Sequence, residues 1–183
     1  MLIRNDDVAY DANLDNIKWF CELCDGYGFK IIQAITPIGS VIPINVKMDN
    51  DEIKRISGIH VFRDNERVYD YLTTRADIIG LHGLYHTHVP SKEEITRGKE
   101  LLSYWGLRPD YFVIPFNEGN YPETIEGLKI SGETTNLEIV MMGNDTLRDE
   151  IAYLHSWRFD KWYKREDLEK CLKHLSLLLN PKK

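Results

Sequence analysis

The feature that most constrains this chain is an alternation of short apolar runs, each ending in polar or turn-forming residues, with stretches of helical periodicity. The runs are Leu2-Ile3 leading into Arg4-Asn5-Asp6-Asp7-Val8, then Lys30 to Ile35, Asp77 to Leu81, Tyr111 to Ile114, Leu128 to Ser131 and Ile151 to Leu154. An apolar run of this kind bounded by turn signals reads as a buried strand. Between them, Asn13 can cap a helix whose stripe is Leu14, Ile17, Phe20/Cys21, Cys24 and Tyr27, closed by Gly26 and Gly28. Asn65 to Thr74 is helical, with Val68, Tyr69 and Leu72 on one side. Ser91 and Glu94 form a capping box for a helix burying Ile95, Leu102 and Trp105 and ending at Gly106. A last helix carries Leu168, Cys171/Leu172, Leu175 and Leu178/Leu179 on one face.

Strands separated by helices pair in parallel through crossover helices, so the fold class is α/β. At 183 residues the chain is one domain, 1–183, and too short for an eight-unit barrel of about 250 residues. A distorted or incomplete barrel of six or seven strands is expected. An open doubly wound sheet is the runner-up, and neither G-x-G-x-x-G nor G-x-x-x-x-G-K-[ST] is present to support it. Among the smaller segments, Thr36 to Pro43 reads as a loop overhanging a site, Asp49 to Ser57 as a short helix and Tyr121 to Gly127 as another. Gly132 to Asp149 shows no regular pattern.

The formal charge of −6 argues against nucleic acid as a partner, because phosphate contacts need a basic surface. No basic segment precedes an apolar h-region, and no apolar stretch is long enough for a membrane span, so a cytoplasmic protein is expected. The three cysteines are an odd count. Cys21-x-x-Cys24 falls inside a helical pattern and reads as buried, reduced thiols rather than a redox motif or half a zinc site.

Strand ends are where parallel α/β folds keep their chemistry. At one such end, Leu81-His82-Gly83-Leu84-Tyr85-His86-Thr87-His88 holds three of the six histidines. His82 and His86, on a loop that Gly83 lets fold back, suit metal ligation by two neutral imidazoles. At another, Asp6 and Asp7 are adjacent carboxylates. Adjacent strand residues point different ways, so one can ligate while its neighbour acts as a base. Further polar or special residues follow other strands, as Pro115-Phe116-Asn117 and His155.

Taken together, the Asp-Asp pair, the His-x3-His segment, the Pro-aromatic segment and the late His resemble the polysaccharide deacetylases of the nodulation-factor type, carbohydrate esterase family four. The resemblance spans nearly the whole chain. It implies a distorted (β/α)7 barrel and a metal-dependent hydrolase that removes an N-acetyl group from a sugar. It also implies roles: Asp6 as catalytic base, Asp7, His82 and His86 as ligands of one divalent ion, and His155 as catalytic acid. One carboxylate and two imidazoles leave coordination positions open, which suits a catalytic site. Zinc is the default ion, and iron, cobalt or nickel suit the same donors. Pro115, Phe116, Asn117, Trp157 and Arg158 are candidates for binding or orienting an N-acetylated sugar or glycan, with Tyr85 a further aromatic neighbour. His88 is a supporting or exposed residue, and His60 and His174 are surface residues. The Arg-Asn-Asp-Asp and His-Gly-x-x-His forms look more like branches found with surface-polysaccharide and O-antigen biosynthesis. A cytoplasmic location then points to a biosynthetic precursor.

Three departures from the family pattern stand out. Val113 occupies the place of an Arg that holds the base, Gly83 that of a Ser or Thr, and Val8 that of a Gly. The competing reading is a carbohydrate-binding protein that keeps the fold without turnover. Arg4 and Asp6 leave the same strand face, so Arg4 can supply the missing guanidinium, with Arg158 as the alternative donor. Otherwise Arg4 packs at the lower rim against some other acid.

Overall fold

The computed structural model describes residues 1–39, 60–132, 134–141, 151–159 and 162–179. Its centre is an eight-stranded sheet ordered β7-β8-β6-β5-β2-β1-β10-β9. The strands are β1 (Leu2–Val8), β2 (Lys30–Ile35), β5 (Ile78–Leu81), β6 (Pro109–Val113), β7 (Thr124–Ile125), β8 (Leu128–Ser131), β9 (Thr135–Asn136) and β10 (Ile151–Leu154). Every pairing is parallel except β7 with β8. Seven parallel strands thus curl into an incomplete barrel, as the alternation and the chain length predict.

Among the described residues the α-helices are α1 (Leu14–Gly26), α2 (Glu66–Thr73), α3 (Lys92–Tyr104), α4 (Leu137–Met141) and α5 (Arg165–Leu179). Local chemistry sets their starts. Asn13 accepts from the amides of Asp15 and Asn16, Asn65 from that of Val68, and Ser91 and Glu94 close the expected box. None of these helices is long and apolar enough to cross a membrane.

Alternation along the strands sorts two layers. Ile3, Ile31, Ile35, Leu81 and Phe112 face the helices and pack with Ile17, Phe20, Ile95 and Leu102. Each such side chain, fully buried, contributes about 1.5–3 kcal/mol. The inner face has a much smaller apolar cluster of Ile32, Ala34 and Val113. Above that plug the inner face turns polar, which makes the barrel mouth a site.

Some expectations are corrected. Tyr121 to Gly127 is not a helix. Thr124 and Ile125 pair antiparallel with Lys129 and Leu128 across a two-residue turn, in which Glu126 and Gly127 have φ of 50° and 76°. Those angles suit a type I′ hairpin, and β-branched Thr124 and Ile125 favour strand. Part of the expected Thr36–Pro43 loop is a strand: β3 (Ile38–Gly39) pairs antiparallel with β4 (His60–Val61). The stretch from Gly132, left without assignment, contains β9 and α4. The helix expected over Asp49 to Ser57 lies outside the described residues.

Candidate active site

The first strand does not stop at the Asp pair. Its pairing with β2 slips between Asn5 and Val8, where one extra residue is accommodated and Asp7 takes φ of 60°. A bulge of this kind re-aims side chains, and Asp tolerates the left-handed region better than most residues. Strict alternation would send Asp6 and Asp7 to opposite faces. The bulge brings both into one pocket of about 190 Å³ lined by Asp6, Asp7, His82, His86, Ile114, Phe116, Asn117, Tyr153, His155 and Arg158.

His82 follows β5 directly and is buried. Its backbone carbonyl accepts from the Thr36 hydroxyl at 3.2 Å. Its ring Nδ1 lies 3.1 Å from the carbonyl oxygen of Val113. A carbonyl can only accept, so Nδ1 carries the hydrogen and the neutral ring keeps its lone pair on Nε2. That nitrogen is 3.2 Å from Asp7 Oδ1 and 3.1 Å from His86 Nε2, which is itself 2.9 Å from Asp7 Oδ1. Despite these neighbours, no donor is aimed at Asp7 Oδ1. These are the three donor atoms that could hold an ion among the described residues.

The donor set fits a divalent metal. Ligands about 2 Å from one ion lie no more than about 4 Å apart, and these three atoms meet that limit. The electrostatics agree. Burial alone would raise the Asp7 carboxyl, but His82 and His86 outweigh it and hold the group well below the usual carboxylate range. Burial alone would lower the His82 imidazole, but Asp7 and then Asp6 outweigh it and raise it. The cluster therefore attracts positive charge, whether a proton or a metal.

The other oxygen of Asp7 faces the β10 side. Trp157 Nε1 donates to Oδ2 at 3.1 Å, and His155 Nε2 lies 3.5 Å from the same atom. His155 follows β10 directly and, at the N-cap position, precedes the 3-10 turn Ser156–Arg158.

Asp6 is held from behind. Arg4 Nε donates to Asp6 Oδ1 at 2.7 Å and Nη2 to Oδ2 at 2.8 Å. Nη1 donates to the Ser131 carbonyl, the Ser131 hydroxyl and the Gly132 carbonyl at 2.9–3.1 Å, and Nη2 reaches Asn117 Oδ1 at 3.4 Å. All five guanidinium hydrogens thus have acceptors although Arg4 is fully buried. Arg4 does not serve the lower rim, and its ion pair is with Asp6. Arg158 lines the pocket instead, its guanidinium 4.9 Å from the Trp157 ring centroid.

The other candidates divide. Phe116 and Asn117 line the pocket, both with positive φ. Pro115 is buried beneath the His loop, where a Cβ on Gly83 would lie 3.0 Å from its Cγ. Gly83 has φ of 71°, so the missing Ser or Thr reflects a backbone conformation as well as a lost hydroxyl. Tyr85 is buried and does not line the pocket. His88 stacks on Phe116 at 4.0 Å and pairs with Glu118, and His60 stacks on Tyr10 away from the cluster. Ile114 and Tyr153 line the pocket unanticipated. Tyr153 was legible, because it lies two residues before His155 and pairs in register with Arg4.

Compared by sequence, the chain matches no protein-family model and no curated protein. Compared by structure, it is similar to the peptidoglycan deacetylase PdaC from Bacillus subtilis, with a TM-score of 0.59 and 11% identity over 96% of this chain and 81% of that one. It is also similar to a family 4 acetyl xylan esterase from Clostridium thermocellum in complex with a cobalt ion, with a TM-score of 0.58 and 13% identity over 98% of this chain and 85% of that one. At these identities the likeness is one of fold, and the fold of this chain is that of the family four deacetylase and esterase barrels.

Proposed function

We propose that the chain is a metal-dependent hydrolase removing the N-acetyl group from a sugar, with Asp7, His82 and His86 holding one divalent ion. The observation that carries the reading is the convergence of Asp7 Oδ1 and the two Nε2 atoms, with the Val113 carbonyl forcing the lone pair of His82 into the centre. Zinc is the default ion, and iron, cobalt or nickel fit the same donors. When bound, such an ion supplies Lewis acidity toward water and toward a carbonyl oxygen.

The chain's own groups supply the rest. Asp6 takes a proton from the attacking water, since the two Arg4 bonds leave other lone-pair positions on its carboxylate open. His155, across the cluster, delivers a proton to the departing nitrogen as the amide C–N bond breaks. Acetate and a free amine result. The pocket of about 190 Å³ is smaller than the roughly 300–1,000 Å³ of drug-sized ligand sites, which suits an acyl group entering while the sugar stays at the mouth. There Phe116, half-buried with His88 stacked on it, forms part of the wall. Pro115 shapes this wall from below, and Asn117, Trp157 and Arg158 orient the groups around it.

The rival reading, a binding protein without turnover, drew its support from Val113. Arg4 favours the enzyme, because the guanidinium missing at that position reaches the carboxylate from β1. The test is acetate release from N-acetylated chitooligosaccharides with and without zinc, alongside metal analysis of His82→Ala. Zinc-dependent release, lost together with metal in the variant, is expected. Equal metal in both proteins would remove the assigned centre, and sugar binding without release would favour the rival. The divergent Arg4-Asn5-Asp6-Asp7 and His82-Gly83-x-x-His86 forms further suggest surface-polysaccharide precursors. Activity confined to long polymer would contradict that.

A further inference from the structure

Asn5 and Gln33 are amides in a layer where their neighbours are apolar. Both are fully buried, they pair across β1 and β2, and they share the helix-facing side of the sheet with Ile3, Ile31 and Ile35. Leucine or isoleucine would fill these positions without polar atoms to satisfy. The amides instead form a directed chain of hydrogen bonds. The Ser156 N–H donates to Asn5 Oδ1 at 3.0 Å, Asn5 Nδ2 donates to Gln33 Oε1 at 3.0 Å, and Gln33 Nε2 donates to Asp77 Oδ2 at 2.9 Å. Asp77 is gripped in turn by Arg75 through Nε at 2.7 Å and Nη2 at 2.9 Å, and Arg75 reaches Asp25 at the surface.

The direction of this chain is forced at both ends. A backbone N–H can only donate, so Asn5 must present its oxygen there and its nitrogen to Gln33. An ionised carboxylate can only accept, so Gln33 must present its nitrogen to Asp77. Neither amide can flip without opposing like atoms, and a buried network satisfied throughout rigidifies what it holds.

What it holds is the start of the turn Ser156–Arg158. The first amide of a helical turn lacks a partner within the turn, and His155 provides no side-chain cap. Asn5 supplies that cap from another strand. The same turn carries the Trp157 indole onto Asp7 Oδ2 and follows His155, whose Nε2 faces that oxygen. We propose that Asn5, braced by Gln33 and the Asp77–Arg75 pair, is a positioning residue that sets His155 and Trp157 against the Asp7 centre. One strand then presents the Arg4–Asp6 pair on its inner face and the tether for the opposing histidine on its outer face.

The test uses the zinc-loaded full chain and the double variant N5L/Q33L. The double variant removes the Asn5–Gln33 bond from both sides, so only the Ser156 N–H loses its partner outright, while Asp77 keeps both Arg75 bonds. A lowered unfolding midpoint is common to a structural and a positioning role, and the signals at the turn separate the two. We expect a folded protein with a lowered unfolding midpoint, Ser156 amide exchange faster on the order of tenfold, and a displaced Trp157 indole N–H resonance. With chitooligosaccharides, kcat falls on the order of tenfold while KM and zinc stoichiometry hold. Wild-type Ser156 protection and an unmoved Trp157 signal in the folded variant would overturn the proposal. Should the double variant not fold, Q33L alone is judged by the same two signals, with smaller changes in the same direction. Only the kinetic arm rests on the hydrolase reading. A wild-type protein that releases no acetate, beside a variant whose turn loosens, removes that reading and leaves the tether standing.

Discussion

Arg4 and Asp6, two positions apart on one strand, are joined by two parallel hydrogen bonds of 2.7 and 2.8 Å in a fully buried setting. Such forked pairs are strong and directional. Arg4→Met is expected to lower turnover as far as Asp6→Asn does, with metal content unchanged. Removing one partner of a buried ion pair also costs about 3–5 kcal/mol, so urea unfolding should show a large loss of stability. Arg4→Lys, which keeps the charge but not the fork, should fall between. Full acetate release by a folded Arg4→Met protein would move attention to Arg158.

Zinc binding at the proposed Asp7–His82–His86 centre should be visible without any substrate. Zinc is expected to raise the thermal midpoint in a concentration-dependent way, by about 2.7 kcal/mol of stability at a free concentration about a hundred times Kd. A chelator should reverse the gain. His86→Ala, which removes a half-buried donor, should abolish most of it. An identical zinc response in that variant, followed by scanning calorimetry, would count against the assigned ligands.

Gly83 tests the loop between the two histidines. Its φ of 71° and the 3.0 Å approach of Pro115 Cγ leave little tolerance for a side chain. Gly83→Ala should cost roughly 1–2 kcal/mol from the left-handed backbone alone, and more from the contact. Gly83→Ser, which restores the hydroxyl of the family pattern, should fare no better, and zinc affinity should weaken in both. Unchanged unfolding and unchanged zinc Kd would show that the loop adapts.

The thiol of Cys21 should be inert. Burial and then the Asp77 charge push it up to about 12, and burial raises Cys24 as well. An unfolded thiol ionises near about 8.5. Because the folded value is the higher one, the stability is fully present below about 8.5 and is lost as pH climbs toward 12. Native protein at pH 8 should react slowly with a disulfide reagent and fully once unfolded in urea. Rapid native labelling of Cys21 would contradict this environment.

Much of the architecture was legible because local chemistry dictates it. Asn13, Asn65 and the Ser91–Glu94 box mark helix starts in sequence and do so in the structure. The apolar runs ending at Asp6-Asp7, His82 and His155 mark strand ends that meet in one pocket. The rest depends on contacts between distant segments. The bulge that turns Asp7 beside Asp6 arises from pairing with β2, and nothing in Asn-Asp-Asp-Val announces it. The Asn5–Gln33–Asp77 chain joins residues 28 and 44 positions apart. The helix expected over Tyr121 to Gly127 is absent because pairing with β8 decides that stretch.

The position of the guanidinium has a consequence for inheritance. Where the base and its brace come from different strands, each can drift without the other. Here both lie within Arg4-Asn5-Asp6, so a grafted β1 would carry them together. Val113 packs with Ile32 and Ala34, and its Cγ2 sits where a Cβ on Gly80 would be only 2.9 Å away. An arginine in place of Val113 would therefore add a second cation to a plug already full.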